Sequence, residues 1–272
     1  TELKIGSLIP ELPTLQPNDG RILPQTFEGG LLTSKEIKGL TFTGGRLDKA
    51  KDRNDTNWED LALNNKNGRF GGSFSADNLA LGGLDYQFTD RITGSYHFAQ
   101  LDDIYRQHFI GMVATQPWGP GTLGADLRLA MSDDAGAAKA GNIDNTTFSL
   151  AATYALGSHS LLLAYQAVDG DTPFDYIGVG KNNRGGDSIF LANSIQYSDF
   201  NGPEEKSAQI RYDLKMAEYG VPGLSFMTRY ITGTNITVRD GSGAIVDENA
   251  KEHELDFEAK YVIQEGAAKD LS

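Results

Sequence analysis

The sequence predicts an all-β fold: a single transmembrane antiparallel β-barrel domain over residues 1–272, built from about twelve strands. Three observations carry this prediction. Hydrophobic and polar residues alternate with period two over whole segments. The polar face of those segments carries charge in mid-strand. The connections between segments alternate between short and long.

Alternation is clear in TLGADLRLAM, where Leu123, Ala125, Leu127, Leu129 and Met131 share one face and Thr122, Gly124, Asp126, Arg128 and Ala130 share the other. Successive strand side chains point to opposite sides, so the segment has one apolar and one wet face. Phe148, Leu150, Ala152, Tyr154 and Leu156 oppose Thr147, Ser149, Ala151 and Thr153 in the same way. Ile210, Tyr212 and Leu214 oppose Gln209, Arg211, Asp213 and Lys215, and Leu255, Phe257, Ala259, Tyr261 and Ile263 oppose Glu254, Asp256, Glu258 and Lys260. A soluble sandwich also alternates, but a small soluble barrel fills its interior with packed apolar residues. Mid-strand charge on the inner face suits a water-filled lumen.

Long links fall near 9–23, 47–77, 132–144, 169–204 and 234–251, and tight ones at Ser34–Ile37, Thr89–Asp90, Pro117–Gly121, Gly157–Ser158 and Glu218–Pro222. Short turns at one end and long loops at the other are the arrangement of outer-membrane barrels. The short link Leu101–Asp103 is an exception, since it falls where a long one is due. Rings such as Tyr86, Phe88, Trp118, Tyr154, Tyr165, Tyr230 and Tyr261 sit on apolar faces or near tight turns, where headgroup-level girdles form.

Composition narrows the function classes. The 272 residues include 37 acidic and 24 basic ones, for a net charge of -13, which argues against a nucleic-acid partner. Mean hydropathy is -0.38, and no apolar run reaches the roughly 18 residues of a spanning helix. A barrel hides its apolar half by alternation, so this does not contradict a membrane location. With no Cys, neither a disulfide framework nor a thiolate metal site is available. The chain opens on the strand-like TELKIGSLI without a leader, so an exported protein is expected to extend N-terminal to Thr1.

No chemistry emerges from motifs. His97, His108, His159 and His253 lack metal-ligand spacing, and GxSxG and HExxH are absent. IGVGKNNRGG lacks the context of a phosphate loop, and Asp169, Asp171, Asp175 and Asp187 miss the spacing of a Ca²⁺ loop. The expectation is a protein without catalysis, cofactor or metal. Lys4, Arg128, Arg211, Lys215 and Arg229 fall on the wet face by strict alternation. Guanidinium groups suit carboxylates, because the planar fork bonds both oxygens and stays charged. The competing reading is a salt-bridge lattice with Asp126, Asp213 and Glu258 that only solvates the wall.

GRILPQTFEGGLLTSKEIKGLTFTGGRL resembles the porin D (OprD) family of substrate-specific outer-membrane channels, as do NLALGGLDYQFTDRITGSYHFAQLDDIYRQHFIG, LSFMTRYITG and HELDFEAKYVIQEGAAKDLS. The resemblance implies a barrel of eighteen strands in the bacterial outer membrane, a constriction made by inward-folded third and seventh loops, and a lumenal ladder of basic residues. It implies passive uptake of small carboxylate-bearing solutes, organic acids or amino acids. On this mapping the chain is an internal piece, from roughly the third to the fourteenth strand, with 47–77 as the third loop and 234–251 as the seventh. Arg21, Arg46 and Arg106 stand in family-like contexts near strand ends and join the expected basic track, while Asp85, Asp102 and Asp103 are expected on an opposing acidic side. The expected partners are outer-membrane lipid and carboxylate solutes, with the channel a monomer or weak homotrimer. The rival is a soluble, secreted β-sandwich or β-helix that binds glycans through its long loops.

Overall fold

A computed structural model describes residues 1–17, 23–64, 72, 74–174, 177–179, 189–240 and 243–272. Its strands are β1 (Glu2–Leu8), β2 (Thr26–Ser34), β3 (Leu40–Lys51), β4 (Leu61–Leu63), β5 (Ser75–Ala76), β6 (Leu79–Thr89), β7 (Ile92–Leu101) and β8 (Tyr105–Trp118). They continue with β9 (Gly121–Asp134), β10 (Asp144–Leu156), β11 (His159–Asp169), β12 (Ile177–Val179), β13 (Lys206–Lys215), β14 (Leu224–Arg239) and β15 (Ile245–Tyr261). Twelve of them form one sheet in the order β1-β2-β3-β6-β7-β8-β9-β10-β11-β13-β14-β15, every neighbour antiparallel and next along the chain apart from the short strands. This is an up-and-down meander, and its end strands β1 and β15 do not pair with each other.

Register keeps the two faces separate across the sheet. Leu127 pairs Leu150, which pairs Tyr165, while Arg128 pairs Ser149, which pairs Gln166. Leu150, Leu161, Leu163 and Tyr165 are exposed on the outward face, and Leu123, Leu127, Leu129, Phe148 and Tyr154 are half-buried beside cross-strand neighbours. Leaving a side chain of this size in water forgoes roughly 1.5–3 kcal/mol of burial, so a continuous outward belt of them requires hydrocarbon. A sandwich would have covered this face with a second sheet. None covers it among the described residues.

Rings gather at the turn end. Trp118 and Tyr154 meet edge-on, and His159 lies between the Tyr212 hydroxyl at 2.6 Å and the Tyr219 hydroxyl at 3.0 Å. Such groups, apolar in body and polar at the tip, mark a membrane–water boundary. The tight turns use left-handed glycines where a hairpin needs them, with φ of 57° at Gly119 and 56° at Gly157.

The long links separate into different structures. In 52–78, β4 pairs with β5 on one side and with β12 on the other, forming a small three-stranded sheet. Leu61, Leu63 and Ile177 pack in one cluster with Phe27, Leu47, Leu79, Ala99 and Leu101 of the inner wall. The expected seventh loop, 234–251, is instead mostly strand. Residues 234–239 continue β14 and 245–251 belong to β15, with register shifts after Gly233. Ile236, Val238 and Ile245 still offer β-branched pairing partners there, so the ladder extends beyond the point where β13 ends. The short Leu101–Tyr105 link is roofed by its neighbour: Ala135 N–H donates to Ile104 O at 3.1 Å, and Lys139 N–H to Asp103 O at 2.9 Å.

Candidate channel lining

The inner face of β9–β15 holds the arginines singled out by alternation. Arg128 donates through Nε to Asp126 Oδ1 at 3.0 Å and through Nη2 to Oδ2, and its guanidinium lies 3.9 Å from the Phe190 ring centroid. Arg211 grips Asp213 through Nε at 2.9 Å and Nη2 at 2.7 Å. Arg229 holds Asp256 through Nε at 2.9 Å and Nη2 at 2.8 Å. Arg211 and Arg229 are direct cross-strand partners, a juxtaposition of like charge that the two aspartates make tolerable. Their side chains differ in access: 37% exposed for Arg211, 18% for Arg128 and 12% for Arg229. Lys4, on the same face of β1, lies 3.6 Å from Glu2.

Two expected members of the track lie elsewhere. Arg46 and Arg106 sit on the outward face, next to Leu47 and Tyr105, which are fully buried on the inner side. The pairing of β3 with β6 and of β7 with β8 runs without a bulge at these points, so alternation sends both arginines out. There Arg46 pairs Asp48 at 2.7 Å, and Arg106 lies 3.6 Å from Asp133. Arg21 lies outside the described residues, as do Asp175 and Asp187.

The acids are not brought together into one opposing side. Asp85 is on the inner wall but tied into it, accepting from Ser95 Oγ at 2.7 Å and sharing a 3.2 Å contact with His97 Nε2. Gly83 makes room for that histidine, since a Cβ there would lie 2.1 Å from its Nδ1. Asp103 belongs to the loop end, where it accepts from Ala137 N–H at 3.1 Å and pairs Lys139 at 3.3 Å. The Ala137 amide, and then Lys139, hold its carboxyl below the usual aspartate range. Asp102 sits beside it in the same link, its backbone N–H donating to Asn78 O at 3.0 Å.

Sequence reasoning missed the inward segment 189–201. Buried Gln166 donates to Asp199 O at 3.1 Å and Phe200 O at 2.7 Å, and accepts from Asn193 N–H at 3.0 Å. Asn193 donates to Ser207 Oγ at 2.8 Å and accepts from Gln209 at 2.8 Å. At the far end, Glu254 accepts from the N–H groups of Tyr197 and Ser198 at 2.9 and 3.0 Å, and Glu252 accepts from Ser198 Oγ at 3.0 Å. The segment thus lies as a shelf across the inner face of β10, β11, β13 and β15. One signal was legible: the inner positions Thr147, Ser149, Gln166, Ser207 and Gln209 are polar yet uncharged, which suits bonding to backbone better than facing water. Below the shelf, a recess of about 310 Å³ opens beside Arg128.

No three His, Cys, Asp or Glu converge as metal ligands among the described residues. An apolar outer belt, a charged inner face and loops folded inside together define a channel-forming barrel wall of the outer membrane. Residues 1–272 match the family described as outer membrane porin, OprD family, and the chain belongs to it. Its relatives are channels rather than enzymes. Porin D of Pseudomonas aeruginosa is 45% identical over 285 residues, covering 100% of this chain and 62% of that protein. The crystal structure of P. aeruginosa OccK5 (OpdH) is 50% identical with a TM-score of 0.89, covering 98% of this chain and 69% of that one. That of P. aeruginosa OccK2 (OpdF) in complex with glucuronate is 36% identical with a TM-score of 0.87, over 98% and 69%. The chain therefore spans about three fifths of the length of the curated relatives it matches.

Proposed function

We propose that the full-length protein is a substrate-selective aqueous channel for passive uptake of small carboxylate-bearing solutes. Arg128, Arg211 and Arg229 form its inward basic track, and segment 47–77 narrows the passage. One observation carries the reading. Each arginine commits its Nε/Nη2 edge to a neighbouring aspartate and keeps Nη1 without a protein partner among the described residues. The aspartate orients the fork and the remaining N–H groups are left for a passing carboxylate, which lowers the cost of stripping its water. Arg211, the most accessible of the three, is the main contact. OccK2 holds glucuronate, a sugar carrying one carboxylate, which supports the same solute class here. Assembly as a monomer or weak homotrimer belongs to this reading and is read from the mass of the detergent-solubilised channel.

Planar-bilayer recordings and liposome uptake of carboxylates test it. Arg211→Gln should lower carboxylate flux several-fold with strand content intact, and Arg229→Gln less, because Arg229 is covered. Arg53→Gln, in the 47–77 segment, should alter conductance but matter less for charge preference. Unchanged uptake in the Arg128→Gln, Arg211→Gln, Arg229→Gln triple variant would reduce the track to a lattice that holds the wall.

A further inference from the structure

On its loop side the outward belt ends in a row that hydrocarbon would not hold. Register sets Gly30, Arg46, Ala80, Gln100, Arg106 and Asp133 side by side across β2, β3, β6, β7, β8 and β9. They point outward, since the alternate residues Leu47, Leu101 and Tyr105 are fully buried on the inner side. Arg46 and Arg106 stand three strand spacings apart, roughly 14 Å, with only the uncharged Ala80 and Gln100 between them. Their side chains are 62% and 52% exposed. Each neighbouring acid lies outside this gap: Asp48 accepts from Arg46 Nε at 2.7 Å from two residues nearer the loop, and Asp133 faces Arg106 Nε at 3.6 Å from the next strand. The Nη groups of both arginines have no protein partner among the described residues. The gap is therefore flanked by cations and contains no carboxylate.

Depth places the gap independently. Trp118, a ring of the turn-end girdle, lies on β8 twelve residues beyond Arg106. At about 3.3 Å per residue and a strand tilt of roughly 40°, the two are about 30 Å apart along the membrane normal, the thickness of the hydrocarbon core. Arg46 and Arg106 thus stand at the level of the lipid phosphates of the loop-side leaflet. Directly below them the wall is hollow at Gly82, which pairs with Gly44 on one side and Phe98 on the other. Its φ is outside the left-handed region, and a Cβ there would meet nothing nearer than Thr43 O at 3.9 Å, so neither a turn nor close packing calls for glycine. Leu84 and Tyr96 border the hollow one row deeper, both exposed, with the Tyr96 hydroxyl 2.8 Å from His108 Nδ1.

We propose that this outward face binds one phosphate-bearing membrane lipid of the loop-side leaflet. The phosphate is held between Arg46 and Arg106, and one acyl chain runs down over Gly82 against Phe98 and Leu84. Guanidinium suits the headgroup because its planar N–H fork matches phosphate oxygens, and the Gln100 amide adds a donor between the two cations. The acyl chain continues a surface that already faces hydrocarbon, so the site needs no rearrangement of the wall. It lies outside the channel and is independent of which solute the lumen passes.

Native mass spectrometry of the full-length protein released from detergent tests the site, with dioleoylphosphatidic acid, dioleoylglycerol and inorganic phosphate as probes. The second probe keeps the chains without the phosphate, and the third keeps the phosphate without the chains. Dioleoylphosphatidic acid should be retained as one saturable equivalent and the other two should be lost. Arg46→Gln and Arg106→Gln should each weaken its binding about fivefold, while open-channel conductance and carboxylate flux stay at wild-type values because neither side chain faces the lumen. Gly82→Leu fills the hollow and should weaken binding through the chain alone. The two arginine variants, at exposed rim positions, carry the test if the leucine variant does not insert. Equal retention of dioleoylglycerol would mean a belt that takes any apolar chain, and retention of inorganic phosphate would mean a free-anion site. Either result overturns the proposal, as does unchanged dioleoylphosphatidic acid binding in the Arg46→Gln, Arg106→Gln double variant.

Discussion

Gln166 and Asp103 show how single residues fasten loops to this wall. Gln166 is fully buried and bonds two carbonyls and one N–H of the inward shelf. Gln166→Leu leaves those three backbone groups without partners, at roughly 1–3 kcal/mol each if they stay buried. The shelf should therefore lift off rather than stay, and protease should cut within 189–201 while the circular dichroism of the sheet is unchanged. Asp103 acts at the rim, on the 135–139 stretch. Its carboxyl is held below the ordinary value, so its contribution is complete above the ordinary aspartate pKa of about 3.9 and fades as pH falls through the lowered value. Hydrogen exchange at the Ala137 amide should accelerate on acidification below that range and lose this pH dependence in Asp103→Ala. Gly136 shares the contact, with φ of 59° and a Cβ position 2.3 Å from Asp103 Oδ1, so bulk there should free the same loop.

Among the elements, strands and loops were legible to different degrees. The twelve wall strands were legible in number, most clearly the four segments with strict period two, because a face that meets lipid and a face that meets water impose alternation on a strand. The tight turns were also legible, since hairpin geometry selects glycine locally at Gly119 and Gly157. Position along a strand was harder to read. Arg46 and Arg106 lie near strand ends, where the sequence alone does not tell the last inward residue from the first outward one, and only the register with β6 and β7 decided it. The destinations of the long links were not legible. Segment 52–78 is polar-rich yet brings Leu61 and Leu63 to an apolar wall, whereas 189–201 packs Ile189 and Leu191 with Phe109 and Ala130 and also brings backbone to the polar positions Gln166 and Gln209. Segment 234–251, of similar length, stays paired as a hairpin.

For the whole molecule, the sheet is a wall whose end strands β1 and β15 each have one neighbour. An unpaired edge in hydrocarbon leaves backbone groups unsatisfied at several kcal/mol each. Residues 1–272 expressed alone should therefore give no single-channel conductance after reconstitution. The outward belt predicts that the purified chain stays monodisperse only in detergent, as size-exclusion chromatography with and without detergent would report. Membrane location, the meander and the inward set Arg128, Arg211 and Arg229 were determined by the sequence itself, because they follow from an alternation that each strand carries independently. Asp126 and Asp213, two residues from Arg128 and Arg211 on the same strand face, were legible as their partners. The shelf and the pairing of Arg229 with Asp256 were decided only by the tertiary structure. These depend on which residues of distant segments meet across the inside of the sheet, and the chain order does not encode those distances locally.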